Sequence, residues 1–510
     1  MKLPRVASSA LRRGGGTFAR YPESTLLAQK MESQVLDNPM QTATDCAQSA
    51  SMLAKVYSKN THAIDKVLVR AQQVYFPPPL LATFCSALAR GRLVSQMPRF
   101  VQDNLQATSA QDMKAFTDQN LVTILASYSV MGKPTPKVGK LIATELSNRK
   151  MDSFQVKQFA TVLQGAFVVL GTANLQAANG GRALCTTIAT ELASQPTYFA
   201  PGMAKLTEMN LLVKYFSLFR YRDHVKLFHT IAMECSTRTE EFKLELAPFQ
   251  IRLLGYFANM QVKCPELCQT VVDQLKSKPN SEFGLRDVTL TFKYLVTLGF
   301  GPDEDLCEKL SRLLVASDLS EMAGFDFAVT LSCLQTWDLK DRALMNKFTT
   351  ELVRRSNLDG FTGDELENLL LCFEWFDFPF PQLAQTVSQH LQQARYSNFT
   401  LGNLCAITTC LRRCHDTHQE HLPQLAQYVL QNWNEFSPND FMHVLDMFAA
   451  LSEPSPILDE VLNRLRGVDF DAFTNSDLAQ LLGLFVPYRT TIETANVGEN
   501  SPCVWMDWKR

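Results

Sequence analysis

Apolar residues along this chain fall in helical register. In the stretch that opens at Phe361, apolar side chains stand 5, 8, 9 and 12 positions later, at Leu366, Leu369, Leu370 and Phe373. The stretch opening at Phe436 repeats this with Phe441, Val444, Leu445 and Phe448. The stretch opening at Phe473 does so with Leu478, Leu481, Leu482 and Phe485. Such spacings contain the i, i+3, i+4, i+7 stripe of an amphipathic helix. Ser or Thr follows each Phe and an acid stands near offset 4, which is the chemistry of a helix start. The Phe lies just outside the helix, placed to staple its entry turn.

The same frame extends upstream from Phe399, Phe325, Phe283, Glu245, Met203, Phe154, Phe116 and Phe76. The last five anchors, at 325, 361, 399, 436 and 473, recur with nearly constant spacing. The interval from 154 to 203 is longer and carries an insertion around Ala178-Asn-Gly-Gly181. Each unit holds a second apolar stretch, such as Leu383, Val387 and Leu391, or Ile457, Leu458, Val461, Leu462 and Leu465. Gly or Pro separates the two stretches, as at Gly132 and Pro134, Gly299 and Pro302, and Pro379 and Pro381. One unit is therefore helix, turn, helix, and neither helix can bury its stripe alone. The expected fold is all-α, an ARM/HEAT-like α-solenoid of about eleven helical hairpins over residues 76–488, with repeats of about 36–49 residues. Residues 23–75 form an amino-terminal helical cap in this reading, and 489–510 a carboxy-terminal tail. Four separate globules are the competing arrangement, and no Ser/Gly-rich linker after residue 30 supports it.

Charge divides the chain. Residues 1–250 hold 28 basic and 17 acidic side chains, whereas residues 251–510 hold 21 basic and 34 acidic. A basic half points to an anionic partner and an acidic half to protein. No apolar run approaches the length of a transmembrane helix, about 20 residues. The thirteen cysteines are odd in number, scattered and mostly set among apolar neighbours, the usage of a reducing compartment. The first 22 residues contain Lys2, Arg5, Arg12, Arg13 and Arg20, with no acid and no compact apolar core. That is the pattern of a mitochondrial transit peptide, with an unstructured basic tail as the alternative. The expected location is the mitochondrial matrix.

The opening Phe-Thr/Ser, the short polar turn with its acid, the Leu-Leu pair and the aromatic at offset 12 resemble degenerate helical repeats of mitochondrial and plastid RNA-processing proteins, of octotricopeptide-like and FAST-kinase-like type. A basic leader joined directly to an all-helical repeat body is also similar to kinetoplastid subunits of the mitochondrial RNA-editing substrate-binding (guide-RNA-binding) complex. The resemblance implies a role in mitochondrial RNA metabolism, with guide RNA or mRNA and other ribonucleoprotein subunits as partners. The chain departs from FAST-kinase-like proteins in lacking a RAP module after the last helix, and from octotricopeptide units in its drifting period.

Catalytic motifs are missing from the sequence. It has no phosphate loop ending in Gly-Lys-Ser/Thr, no Gly-x-Ser-x-Gly, no paired metalloprotease histidines and no dinucleotide fingerprint. A non-enzyme without a cofactor is expected. Gly180-Gly181-Arg182 is expected to be a loop between two helices. Cys410, Cys414, His415, His418 and His421 could ligate zinc, but the thiols fall on a helix stripe and the histidines in a turn, so no metal is expected. The candidate RNA contacts are Lys214, Arg220, Tyr221, Arg222 and Lys226, with Tyr215 and Phe219 assigned to the core, and a second basic region at Lys133, Lys137, Lys140, Arg149, Lys150 and Lys157. Cations meet phosphates and aromatic faces stack unpaired bases. The candidate protein contacts are Trp375, Phe376, Phe378 and Phe380 in one apolar turn, and Trp505 and Trp508 near the end of the chain. A mitoribosomal or ribosome-assembly protein, and a solenoid that binds only proteins, are the alternative functions.

Overall fold

A computed structural model describes residues 22–55, 61–90, 112–131, 136–170, 179–355, 358–393, 399–414 and 422–432, together with Val444. The basic leader, Lys133, the units at Phe436 and Phe473, the three histidines from His415 to His421, and Trp505 and Trp508 lie outside the described residues. Among those described there are twenty-one α-helices and no strand. The protein is an all-α helical-repeat protein. None of the described helices is long and apolar enough to cross a membrane.

Two compact units are present. The first runs to Leu275 and takes in Thr297–Gly299; the second comprises Lys276–Val296 and the chain from Phe300. The first helices of the first unit are α1 (Pro22–Asp37), α2 (Ala43–Lys55), α3 (Thr61–Ala71), α4 (Pro78–Arg90), α5 (Asp118–Met131), α6 (Pro136–Ser147), α7 (Val156–Leu170) and α8 (Asn179–Ser194). They are followed by α9 (Leu206–Leu218), α10 (Val225–Ser236), α11 (Thr239–Leu244), α12 (Ala247–Met260) and α13 (Pro265–Ser277), whose last two residues pass into the second unit. One layer stacks α2, α4, α5, α7, α9 and α12 in order; the other stacks α6, α8 and α10. The second unit contains α14 (Leu285–Thr297), α15 (Glu304–Ala316), α16 (Gly324–Thr336), α17 (Arg342–Arg355), α18 (Gly363–Trp375), α19 (Pro381–Gln393), α20 (Leu401–Cys414) and α21 (Leu422–Gln431). Here α16, α18 and α20 form one layer and α15, α17 and α19 the other. Each helix buries its stripe against the next of its layer, which is solenoid packing.

The predicted helix starts hold in detail. In α18 the Thr362 hydroxyl accepts from the Glu365 N–H, while the Thr362 N–H donates to the Glu365 carboxylate at 2.8 Å. Thr400 with Asn403, and Thr42 with Asp45, make the same reciprocal box. Stripe residues at offsets 5, 8, 9 and 12 are buried after Phe76, Phe116, Phe154, Phe283, Phe361 and Phe399. Gln250 takes offset 5 after Glu245; it is fully buried, and its amide donates to the Phe242 and Glu245 carbonyls.

Two anchors shift. Met203 is 63% exposed, and the buried anchor is Ala204, the next residue. Phe325 is 37% exposed, and the anchor position belongs to Met322, which places Phe327, Thr330, Leu331 and Leu334 on the buried stripe. The reason is in Gly324: a Cβ there would stand 2.7 Å from the Phe361 ring. The next unit's anchor therefore needs a bare backbone at this first helical position. Gly363 repeats the device against Asn403 and Phe399. With Met322 in place, the helices α12, α14, α16, α18 and α20 begin at 247, 285, 324, 363 and 401, an almost constant step. The supposed loop at Gly180-Gly181 is instead the first turn of α8.

The turns are as regular as the helices. Arg220, Gln261, Gly299, Asp338 and Asp377 all have φ between 52° and 73°. Each stands at the same offset from its anchor, counted from Ala204, Glu245, Phe283, Met322 and Phe361. The next residue donates its N–H to the offset-12 carbonyl: Tyr221 to Phe216, Val262 to Phe257, Phe300 to Leu295, Leu339 to Leu334 and Phe378 to Phe373. This is a Schellman closure, whose hydrophobic contact explains why the donating residue is apolar or aromatic in all five units.

Candidate nucleic-acid interface

Three arginines serve the scaffold; for Arg149, expected in the second basic region, this is a correction. Arg149, at the end of the second helix in the unit of Phe116, donates to the Phe116 and Met113 carbonyls at 2.6 and 3.0 Å and pairs with Asp118 and Glu145. Arg238, in the unit of Ala204, donates to the Ala204 and Phe199 carbonyls. Arg355, in the unit of Met322, donates to the Leu319 and Ser320 carbonyls. Each ties the end of a second helix to the loop before the first helix of its own unit. Hydrogen bonds to a charged group contribute about 1.5–3 kcal/mol each when buried.

The Lys214–Lys226 segment is brought together only in part. Tyr221, expected on the polar side, is 3% exposed, which is a correction. As the residue after the left-handed Arg220, it folds back on the end of α9, where its ring lies 5.6 Å from Phe216. Its hydroxyl and the His224 Nδ1 are 2.6 Å apart, and burial raises its pKa. It cannot stack on a base. Arg222 donates to the Asn259 carbonyl and the Gln261 side chain, both at 2.8 Å, so it closes the carboxy-terminal end of α12. Lys214 is half-buried with its ammonium 5.3 Å from the Tyr215 ring centroid. Tyr215 is buried as expected, while Phe219, assigned to the core, is half-buried. Asp223 pairs with Arg182 at 2.9 Å. Arg220 and Lys226 are exposed and meet no carboxylate among the described residues.

The second basic group gathers into a groove. Lys137 and Lys140 line a concavity of about 610 Å³ together with Lys114, Thr144 and Asn148. Met113 and Leu141 also line it. On α6 and just past its end, the positions 137, 140, 141, 144, 145 and 148 form one stripe, opposite the buried Val138, Ile142 and Leu146. Lys114 comes from the 3₁₀ turn Asp112–Ala115, which packs against α6. Sequence reasoning missed Lys114, Thr144 and Asn148. The i, i+3, i+7, i+11 run of polar residues along α6 was the signal for the last two; for Lys114 there was none.

The aromatic turn at 375–380 is mostly core. Phe376 and Phe380 are buried, a correction to their assignment as protein contacts, and Phe378 is half-buried. Phe378 is the counterpart of Tyr221, directly after the left-handed Asp377, and packs on Phe373. Trp375 is 41% exposed, with the Lys340 ammonium 5.6 Å from its ring centroid.

Eleven cysteines, from Cys46 to Cys410, are buried and unbridged. Burial pushes the Cys85 and Cys235 thiols up to about 12, far from thiolate reactivity. Cys410 donates to the Glu374 carboxylate. Among the described residues no three metal-ligating side chains come together.

What these elements define is a helical-repeat protein with a lysine groove in its first unit. No protein-family model and no curated protein matches the chain. Among structures, it is similar to a chain titled "Homology model of the full-length AP-3 complex in an intermediate open conformation". The match has 10% identity and a TM-score of 0.25, over 95% of this chain and 87% of that one. A match at this level bears on neither family nor function.

Proposed function

We propose that the protein is a non-catalytic scaffold subunit of a mitochondrial RNA-processing or RNA-editing assembly. Its first unit holds RNA and its acidic second unit holds protein partners. The observation that carries this reading is the inequality among the cations of the first unit. Arg149, Arg222 and Arg238 are consumed by carbonyls and carboxylates of the chain itself. Lys114, Lys137, Lys140, Arg220 and Lys226 are exposed and pair with no acid among the described residues. Unpaired surface cations are what a polyanion displaces counterions from. The resemblance to RNA-processing helical repeats and the acid-free leader support a location in the mitochondrial matrix. Trp375 is the exposed aromatic that remains for a protein partner. The mechanism is positioning on a repeat surface, without chemistry.

The test is a tagged pull-down from mitochondria, with and without RNase, combined with ultraviolet crosslinking. Crosslinked RNA and protein partners that survive RNase are the expected result. Absence of any RNA crosslink would leave a protein-only solenoid, and co-sedimentation with ribosomal subunits would move the protein to the ribosome.

A further inference from the structure

The groove of the first unit differs from every other cationic site described above. Three lysines line one concavity of about 610 Å³, within the range of about 300–1,000 Å³ that ligand sites occupy. Among the described residues one carboxylate lines it, Glu145, which shares the Arg149 guanidinium with Asp118. The three lysines therefore outnumber the carboxylate beside them. Arg149 itself is turned away, spent on Asp118 and two carbonyls.

The lysines also stand where the helix does not want them. Lys137 is the second residue of α6 and Lys140 the fifth, with no acid in the first turn. Cations at this end oppose the helix dipole, whose positive pole favours an anion. By contrast α5 begins with Asp118 and α18 with Asp364 and Glu365. In the groove this cationic helix start meets a third lysine, Lys114, from another element, so the positive charge is concentrated in one place. The ligand that fits is anionic.

The remaining lining narrows its chemistry. Thr144 and Asn148 add neutral donors farther along α6 and just past its end. Among the described residues no aromatic ring lines the groove, so none of them can stack on a base there. Lysine offers point charges rather than the planar fork that reads base edges or carboxylates. Two of the lysines come from α6 and the third from the 3₁₀ turn packed against it. Three separate point charges suit a chain of phosphates better than a single phosphate. On these grounds we infer that the groove is a binding site for the backbone phosphates of single-stranded RNA, taken without regard to base. This rests on the scaffold reading and gives it a location.

The experiment measures binding of fluorescent oligouridylate and oligoadenylate to the full chain over a salt series. It compares the wild type with a K114Q/K137Q/K140Q triple variant, a K114R/K137R/K140R variant and a K55Q/K205Q control at exposed lysines outside the groove, which should bind as the wild type does. The Gln triple is expected to lose affinity by roughly ten- to a hundredfold for both oligonucleotides. The slope of log affinity against log salt should become shallower by about 2, since each single-strand phosphate contact accounts for about 0.7. The Arg triple should retain both, and circular dichroism should be the same for all. Inorganic tripolyphosphate should compete only weakly. If the wild type binds RNA and the Gln triple binds it equally well, the groove assignment falls and the scaffold reading stands. If the wild type binds no RNA, both fall. A groove that takes tripolyphosphate as tightly as oligonucleotide overturns the backbone assignment, and a loss confined to one base overturns its indifference to sequence.

Discussion

The two units use their cations in opposite ways. In the second, bases are fewer than acids and most of those described are engaged. Lys276 pairs with Asp303, Arg312 with Glu308, and Arg354 and Arg355 with Glu351. Lys309 donates to the carbonyls of Lys276 and Lys278, and Lys293 and Lys340 lie over the rings of Phe325 and Trp375. In the first, Arg149, Arg222 and Arg238 are engaged, whereas Lys114, Lys137, Lys140, Arg220 and Lys226 meet no carboxylate among the described residues. The periods differ too. First-layer helices of the second unit start at an almost constant step, at Leu285, Gly324, Gly363 and Leu401. The step from α7 at Val156 to α9 at Leu206 is longer, with the 3₁₀ turn Pro196–Phe199 and its buried Tyr198 and Phe199 between them. Net charge of a segment is thus a poor guide to its free charge. What counts is whether the fold brings a partner within reach.

The largest expected effect tests the regularity of the second unit. Phe361 is buried against Gly324 and lies 6.2 Å from Phe327. Phe361→Ala should leave a cavity between α16 and α18 and cost about 3–5 kcal/mol. Hydrogen exchange should show protection lost in α16 and α18 and kept in α5 and α7, since repeats act mainly on their neighbours. Uniform loss throughout the chain would mean that the two units unfold together.

A smaller effect comes from pH. Glu351 is buried, and the hydrogen bond from Arg354, then that from Arg355, lowers its pKa below the ordinary carboxylate value of 4.5. Its ionised form is therefore favoured in the folded state. The stability it contributes is complete above its unfolded pKa and is lost as pH falls through the lower folded value. Glu351→Gln should destabilise the second unit near neutral pH, and the difference from wild type should shrink in acid. A difference that stays constant from neutral pH into strong acid would show that the ion pairs do not matter. The first unit, monitored in parallel, should not respond to the substitution.

The smallest effect concerns the repeated turn. Arg220 holds φ at 53°, where Gly299 stands in the matching turn at 73°. A side chain in the left-handed region costs about 1–2 kcal/mol. Arg220→Gly should stabilise the first unit by about 1 kcal/mol in urea unfolding, less what glycine adds to the entropy of the unfolded chain. Destabilisation would mean that the arginine side chain makes a contact that outweighs the strain.

Much of the fold could be read directly, and less of the site. Offsets 5, 8, 9 and 12 and the Thr-x-x-Glu boxes are local features, set by the turn of one helix and its first orphan N–H groups. They named the buried faces of α4, α5, α7, α14, α18 and α20 from the residues alone. The Phe-x-Tyr of Phe219–Tyr221 and the Phe-x-Phe of Phe376–Phe378 were also in plain view. Tyr221, Phe376 and Phe378 read as exposed aromatics because turns usually face water; a Schellman closure folds the second aromatic of each turn back on its helix.

Thus the sequence by itself determined that this chain folds into paired helices, where most of them begin, and that its cysteines are small core residues. Backbone hydrogen bonding and side-chain periodicity act over one turn, and one turn is legible in one segment. Only the tertiary structure decided that Met322 rather than Phe325 is an anchor, because the choice depends on Gly324 making room for Phe361 in the next unit. Only it decided that Arg222 is bound to α12 while Lys114 joins Lys137 and Lys140 in one groove. Those outcomes depend on residues far away along the chain. Coulomb attraction and hydrogen bonding fall off within a few ångströms, so the partner that packing supplies decides whether a charge is spent or free.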